Sequence, residues 1–465
     1  MTDTKASGAG GHTFSQRAEV LVHYPHEVRS GWLPRSNKVM KKFHESIHAA
    51  ERTEYAPSVA RMDQFIESNT VVKYLIEDAC NRNRNMVEVY GTEETNPDHV
   101  QLPRIKDKET LLHGFNEILK HPPRFVDSEL VGLPFSAWVV GIDPTLSGAA
   151  LFALPMFNEA MSGIFQDWFK YLGTAPSGQE LFGTEGEQWL SPTAKKQYQF
   201  DDWQKDSETL PYWNSWNSFF TRQFKDRDAQ RPIADPDSNR TVVAANDGSL
   251  FRWDSDVTER DVFWFKDMRY SLADILSSPV KEQQAAIDEH DLVKKFTGGY
   301  ILQTYLNPYN YHRWWSPVNG EVLFDPFTIP GYYFNKLVLP DFGGATTASL
   351  PYSAQVNARG LIVFKTKDFG HVACLPLGMS EVSTVTFHES MKQGASVKKG
   401  QEMGSFNYGG SSFVLIFENL PNKKLVFMDG KGNLMPKQPV LPDGSAATGG
   451  VPTSIGAKIG QWVDV

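Results

Sequence analysis

Between about Ser36 and Ala160 the apolar residues recur every three or four positions, as in VARMDQFIESNTVVKYLIEDA and ETLLHGFNEILKH. That is the period of helices with one buried face, so the N-terminal third is predicted to be mostly helical. The stretch GTAPSGQELFGTEGEQWLSPTAKK breaks the period with Gly, Pro, Ser and Thr. It reads as a loop or linker, with a domain boundary near residue 190. PYWNSWNSFFTRQFKDRDAQRPI then predicts a short helix ended by Pro232. Beyond it come short β-branched and aromatic runs, TVVAA, YILQTYL, GEVLFD, GLIVFKT, HVACLPL, EVSTVTF and SFVLIFE, separated by Gly, Pro and Asn. These are strand signals. From Ser380 to Phe406 the rhythm is turn, strand, turn, with Gly394, Gly400 and Gly404 as the corners of a small barrel or sandwich. The expected fold is α+β: a flexible tail over 1–30, a helical domain over 31–190 and a β-rich domain over 191–465.

Composition narrows the partners. Hydrophobic residues make up 40% of the chain and charged ones 22%, which is ordinary globular usage. A net charge of −9 offers no long-range attraction to nucleic acid or anionic lipid, so a small molecule is the expected ligand. Cys80 and Cys374 lie far apart with no CxxC spacing, which points away from a disulfide framework or thiolate metal site and fits a reducing cytoplasm. The most apolar stretch, Leu130 to Phe157, contains Asp143, Pro134, Pro144 and Pro155, and so reads as buried core and not as an integral membrane segment.

NYGGSSFVLIFE sets two glycines and two serines directly before an apolar strand. In isolation this is a hairpin turn. Its chemistry is richer if the backbone is held so that a serine hydroxyl approaches the preceding carbonyl, an approach that glycine leaves open by lacking a Cβ. The resulting ester eliminates across Cα and Cβ, and hydrolysis leaves an N-terminal pyruvoyl group. A base is needed, and His312 in LNPYNYHRWWSPVNGEV is the local candidate, with Asp247 in VVAANDGSLF available to orient it.

Taken in order, FFTRQFKDRDAQRPI, VVAANDGSL, LNPYNYHRWWSPVNGEV, IPGYYF and YGGSSFVLIFE resemble the motifs of the phosphatidylserine decarboxylase family across most of the second half. GWLPRS and FIESNTVV extend the likeness into the helical region, toward a soluble branch of that family that decarboxylates L-tryptophan. The resemblance implies a pyruvoyl-dependent carboxy-lyase, matured by cleavage between Gly410 and Ser411, with no pyridoxal phosphate and no metal. It implies Ser411 as the pyruvoyl precursor and Schiff-base residue, Ser412 as its partner hydroxyl, His312 as base and Asp247 as its acidic partner. Gly409 and Tyr311 have supporting roles, and Tyr311 is an alternative proton donor. The chains 1–410 and 411–465 are expected to stay associated. The substrate is expected to be an aromatic L-amino acid such as L-tryptophan, giving tryptamine and CO2, with phosphatidylserine as the alternative. Two positions depart from the family's pattern: Trp315 replaces its second histidine, and Ala-Asn precedes Asp247 where Pro-Ala is usual.

Trp314, Trp315, Tyr332, Tyr333 and Phe334 could line a flat apolar pocket for such a ring. A competing motif, His44, Glu45 and His48 in FHESIHAAER, has the HExxH spacing of zinc peptidases. With Lys41 and Lys42 before it and no third ligand identifiable, it reads as an exposed helix face.

Overall fold

The computed structural model describes residues 34, 36–90, 103–143, 145–183, 188–261, 270–307, 309–333, 350–378, 381, 384–408, 411–437 and 450–465. The tail 1–30, Gly409, Gly410 and Phe334 lie outside the described residues.

The N-terminal part is helical, as its periodicity predicts. Asn37–Ala49, Pro57–Ser68, Thr70–Tyr90, Lys108–Ile118 and Pro155–Leu172 are its longer helices. Their starts are locally encoded. Asp107 accepts a hydrogen bond from the Thr110 amide at 2.8 Å, and proline opens Pro57–Ser68 and Pro155–Leu172 where its missing N–H is no loss. The apolar stretch from Leu130 lies in the core, where Phe135, Ala137, Trp138 and Val139 are fully buried. No helix among the described residues is long and apolar enough to cross a membrane.

Two sequence readings need correction here. The stretch around residue 190 is only in part a loop: Ala175–Phe182 and Pro192–Gln197 within it are helices, and residues 188–190 between them are turn. Trp189 between them is buried, with its ring 5.4 Å from Phe125 and 4.9 Å from Trp216. Aromatic packing overrides the local turn composition. The segment before Pro232 is two helices, Trp216–Phe220 and Arg227–Gln230, because Arg222 turns into the core and Asp226 caps a new start at the Ala229 amide, 3.0 Å away.

Among the described residues the largest sheet has nine strands, and all its pairings are antiparallel. Ser411–Phe417 lies in its interior, paired with His371–Gly378 on one side and Tyr300–Leu306 on the other. Every residue of that strand is buried, so it reads as a continuous apolar run and not as an alternating one. Its two faces enter different cores. Phe413, Leu415 and Phe417 join the large core that continues into the helical region, whereas Val414 and Ile416 pack with Leu272, Ile275, Leu292 and Phe296. Smaller sheets flank it, one formed by Val385–Phe387, Glu402–Phe406 and Arg313–Trp315. Gly394 and Gly400 turn with positive φ, as corners should. Gly404 is no corner: it lies within a strand, and a Cβ there would sit 2.5 Å from the Trp314 ring.

The helical and sheet regions are tied by a buried carboxylate. Glu381 accepts hydrogen bonds from the Phe135 amide at 3.1 Å and from the Ser136 amide and hydroxyl at 3.4 and 2.8 Å. Removing it leaves three buried donors unpaired. Glu381→Ala is therefore expected to lower the stability of the full-length chain by about 2–4 kcal/mol. Thermal unfolding of that variant against Glu381→Gln, which keeps acceptor oxygen, checks it.

Candidate active site

Side chains alternate along a strand, so the adjacent residues Ser411 and Ser412 face opposite sides of the sheet. Ser411 falls on the face of Phe413 and the large core. Ser412 falls on the face of Val414, where it accepts from Gln303 Nε2 at 2.9 Å and donates to the Thr304 carbonyl at 2.6 Å. The Ser411 hydroxyl is buried and, among the described residues, has no hydrogen-bond partner. A buried hydroxyl left unpaired costs about 1–3 kcal/mol, a cost that folding would ordinarily remove.

His312 lies on the same side as Ser411. Its carbonyl accepts from the Phe406 amide at 2.9 Å, five residues before Ser411, and its ring stacks on Phe220 at 4.1 Å. Phe220 also touches the Tyr408 ring at 5.1 Å, so one phenyl group joins the histidine to the segment leading into Ser411. The next inward residue, Trp314, packs 5.9 Å from Phe413. Burial, and then the Arg222 guanidinium, hold the His312 imidazole well below the usual histidine range. It is neutral at physiological pH, the form that accepts a proton.

Arg222 is itself buried. It donates to the carbonyls of Phe219, Tyr309 and Asn310 at 3.3, 3.2 and 3.5 Å and lies 4.4 Å over the Trp203 ring. Burial brings its pKa down to about 10, so it stays charged at physiological pH. It fixes the turn immediately before His312 and sets a positive charge beside it.

The structure pairs Asp247 with Arg231. The guanidinium grips both carboxylate oxygens at 2.7 to 3.1 Å, and the Ile455 amide donates to one of them at 2.9 Å. Asp247 nevertheless belongs to the same neighbourhood, since the Trp315 amide donates to the Ala245 carbonyl at 2.8 Å. Tyr311 lies on that side too, stacked on Trp203 at 5.5 Å and tilted against Phe224 at 4.3 Å. Burial pushes its phenol pKa up.

The expected pocket residues do not form one wall. Trp314 is in the core against Phe387, Phe406 and Phe413, whereas Trp315 faces the other way with Arg227 over its ring at 5.0 Å. The period of two separates them. Tyr332 bridges to Asn357, and Tyr333 packs on Phe165 of the helical region at 5.1 Å. A different aromatic group gathers at Tyr408, which meets Trp168 at 5.1 Å and Trp216 at 5.4 Å as well as Phe220. Among the described residues the Tyr408 hydroxyl and the Trp216 indole N–H have no hydrogen-bond partner, although both are buried. Arg222 and Phe220 stood in the segment FFTRQF, and Tyr408 immediately before the glycines, but only the fold reveals that they converge. Trp168 carries no local signal at all.

The HExxH helix is not an exposed face at His44. That side chain is buried, with Nε2 2.7 Å from the Ala137 carbonyl, and both His44 and His48 pack on Trp138 at 5.1 and 5.2 Å. Among the described residues no three His, Cys, Asp or Glu side chains gather as metal ligands.

Residues 216–432 match the profile of the family described as phosphatidylserine decarboxylase, and residues 56–198 match a second profile of that description. The protein called decarboxylase iboD from Amanita muscaria is 34% identical over 311 residues, 62% of this chain and 84% of the relative. The L-tryptophan decarboxylase of Psilocybe cubensis is 27% identical over 428 residues, 85% of this chain and 90% of the relative. The phosphatidylserine decarboxylase proenzyme of Fusobacterium nucleatum is 29% identical over 219 residues, 46% of this chain and 63% of the relative. A serine at the head of a buried central strand with no hydrogen-bond partner among the described residues, a neutral histidine on its side of the sheet and these similarities lead to one conclusion: the chain belongs to the phosphatidylserine decarboxylase family and is a decarboxylase, a carboxy-lyase.

Proposed function

We propose that the chain matures by cutting itself between Gly410 and Ser411 and that the pyruvoyl group formed at position 411 decarboxylates an aromatic L-amino acid such as L-tryptophan. The observation that carries the maturation step is the buried Ser411 hydroxyl, without a hydrogen-bond partner among the described residues, on the same side of the sheet as a neutral His312.

In that reading His312 takes the Ser411 hydroxyl proton while Oγ attacks the Gly410 carbonyl. The C–O bond forms, the C–N bond breaks and the proton passes to the freed amine of Ser411. Loss of the Cα proton then expels the Gly410 carboxylate. Water replaces the nitrogen, which leaves as ammonia. Residues 411–465 stay in place because each residue of Ser411–Phe417 is paired on both sides. Asp247 acts on His312 at one remove, by holding Arg231 and the Ala245–Asp247 segment against the strand Arg313–Trp315 that follows the histidine.

The residues around Ser411 fit such a group: its position is buried within the sheet, and among the described residues its hydroxyl makes no competing hydrogen bond. Once present, the pyruvoyl carbonyl supplies the electron sink that carbon dioxide loss requires. His312 remains the nearby group able to hold or return a proton. Trp168, Trp216, Phe220 and Tyr408 pack together next to the segment leading to Ser411; in this reading they would give ring faces to a planar substrate, and the Tyr408 hydroxyl and Trp216 N–H, unpaired among the described residues, would give donors to its polar end. An aromatic amino acid satisfies both features, and the name of the Psilocybe relative agrees with it.

Expressed protein should run as a long and a short chain, and Ser411→Ala as one. A single full-length species for both sinks the maturation step. With the cleaved enzyme, carbon dioxide release should be faster from L-tryptophan than from L-tyrosine or phosphatidylserine, and Tyr408→Phe should lower kcat/KM for L-tryptophan by about tenfold. A preference for phosphatidylserine would replace the substrate reading.

Because His312 is held neutral, the rate of cleavage should be level through neutral pH and fall only in acid. Arg222→Met removes the second cause of the lowered pKa, so its acid limb should move toward neutrality, whereas Arg222→Lys should leave it in place. The same shift has a stability sign. The unfolded chain binds a proton at His312 more readily than the folded one, so this site contributes a loss of stability as pH falls below the usual histidine value of about 6.5. Cleavage time courses across pH for the three proteins test the assignment.

A further inference from the structure

On the face of the sheet away from Ser411, a chain of buried hydrogen bonds ends at Ser412. Tyr270 Oη donates to Gln303 Oε1 at 2.7 Å, Gln303 Nε2 donates to Ser412 Oγ at 2.9 Å, and Ser412 Oγ donates to the Thr304 carbonyl at 2.6 Å. All four residues are buried, and the apolar side chains Ile301, Leu375, Leu377, Val414 and Ile416 occupy the same face. The direction of the chain is fixed by its hydrogens. Ser412 has one, given to Thr304, so it accepts from Gln303. That requires the amide nitrogen toward Ser412 and the amide oxygen toward Tyr270, whose hydroxyl must then donate. Through the other side of the sheet Thr304 Oγ1 donates to Asn246 Oδ1 at 2.8 Å, and Asn246 Nδ2 donates to the Asp247 carbonyl at 3.1 Å.

A polar chain set in an apolar core is a demanding arrangement to bury, and one broken link leaves its neighbours unsatisfied. It also divides two adjacent serines chemically: the Ser412 hydroxyl has its hydrogen committed, and that of Ser411 has no partner among the described residues.

We propose that Gln303, oriented by Tyr270, is a positioning residue for self-cleavage, clamping Ser412 to the Thr304 carbonyl so that the start of the strand presents Ser411 to the His312 side. The inference rests on the maturation reading above. In it Ser412 is a clasp, with no proton to give to the Gly410 carbonyl, and Gln303 is the other half of the clasp.

The test follows conversion of newly translated full-length chain into two chains on a gel. Gln303→Leu and Ser412→Ala should each slow conversion by about tenfold, the effect of one buried hydrogen bond, and the double variant should be little slower than either. Gln303→Glu separates positioning from a general packing defect. A buried carboxylic acid donates to Ser412 only while protonated, so this variant should convert faster at about pH 6 than at about pH 9, opposite in sense to a reaction that needs a neutral histidine. Wild-type rates for Gln303→Leu, together with Gln303→Glu converting no faster in acid than in base, overturn the inference while leaving self-cleavage intact. A Ser412→Ala chain that never cleaves beside a Gln303→Leu chain that cleaves normally also overturns it, since Ser412 would then act chemically. Failure of the wild-type chain to cleave overturns both this inference and the reading it rests on.

Discussion

The alternation of side chains across a strand buried on both faces is the constraint on which the rest depends. Ser411–Phe417 has no solvent side. Whatever stands at its head must therefore be placed in one core or the other, and two consecutive serines are necessarily divided between them. One enters a polar chain that satisfies it. The other lies on the side of the sheet that holds a histidine deprived of its charge by burial and by a neighbouring guanidinium. Under the proposed maturation, reactivity at this place would come from withholding hydrogen bonds as much as from supplying a base.

The helical region takes part in that environment directly. Trp168, on Pro155–Leu172, touches Tyr408, Phe165 on the same helix touches Tyr333, and Glu381 joins the sheet region to the start of Pro134–Val139. The two parts share one continuous apolar core. A change in the helical region is thus a change in the packing around Tyr408 and Tyr333, which, under the proposed function, would give this architecture a means of altering substrate preference without touching the residues at positions 312 and 411.

The sequence disclosed what has a local period or a local motif. Helical spacing before Ala160, strand runs after Thr241 and the order of the motifs around His312 and Ser411 were legible because each is carried by neighbours in the chain. What escaped is carried by distance. Trp189 looked like part of a linker because Gly, Pro and Ser surround it, yet its ring fills space beside Trp216. Trp314 and Trp315 looked like one aromatic wall because they are adjacent, and adjacency on a strand is what separates them. Asp247 looked like the natural partner of His312, but Arg231 engages its carboxylate. Gln303 did leave a trace, as the central polar residue in the apolar run YILQTYL, although its partners Tyr270 and Ser412 could be found only in space.

The segment from Ser411 onward does not form a separate lobe. Its first strand lies inside the large sheet, Val451–Thr453 extends the edge of that sheet, and Lys423–Phe427 and Lys458–Asp464 form a smaller sheet with Thr241–Val243. The two products of the proposed cleavage would therefore be interleaved. A prosthetic group made at Ser411, as proposed, would belong to one polypeptide for its lifetime: unlike a diffusible coenzyme, it would have no route of exchange, and replacing a spent one would mean synthesising and folding the whole chain again.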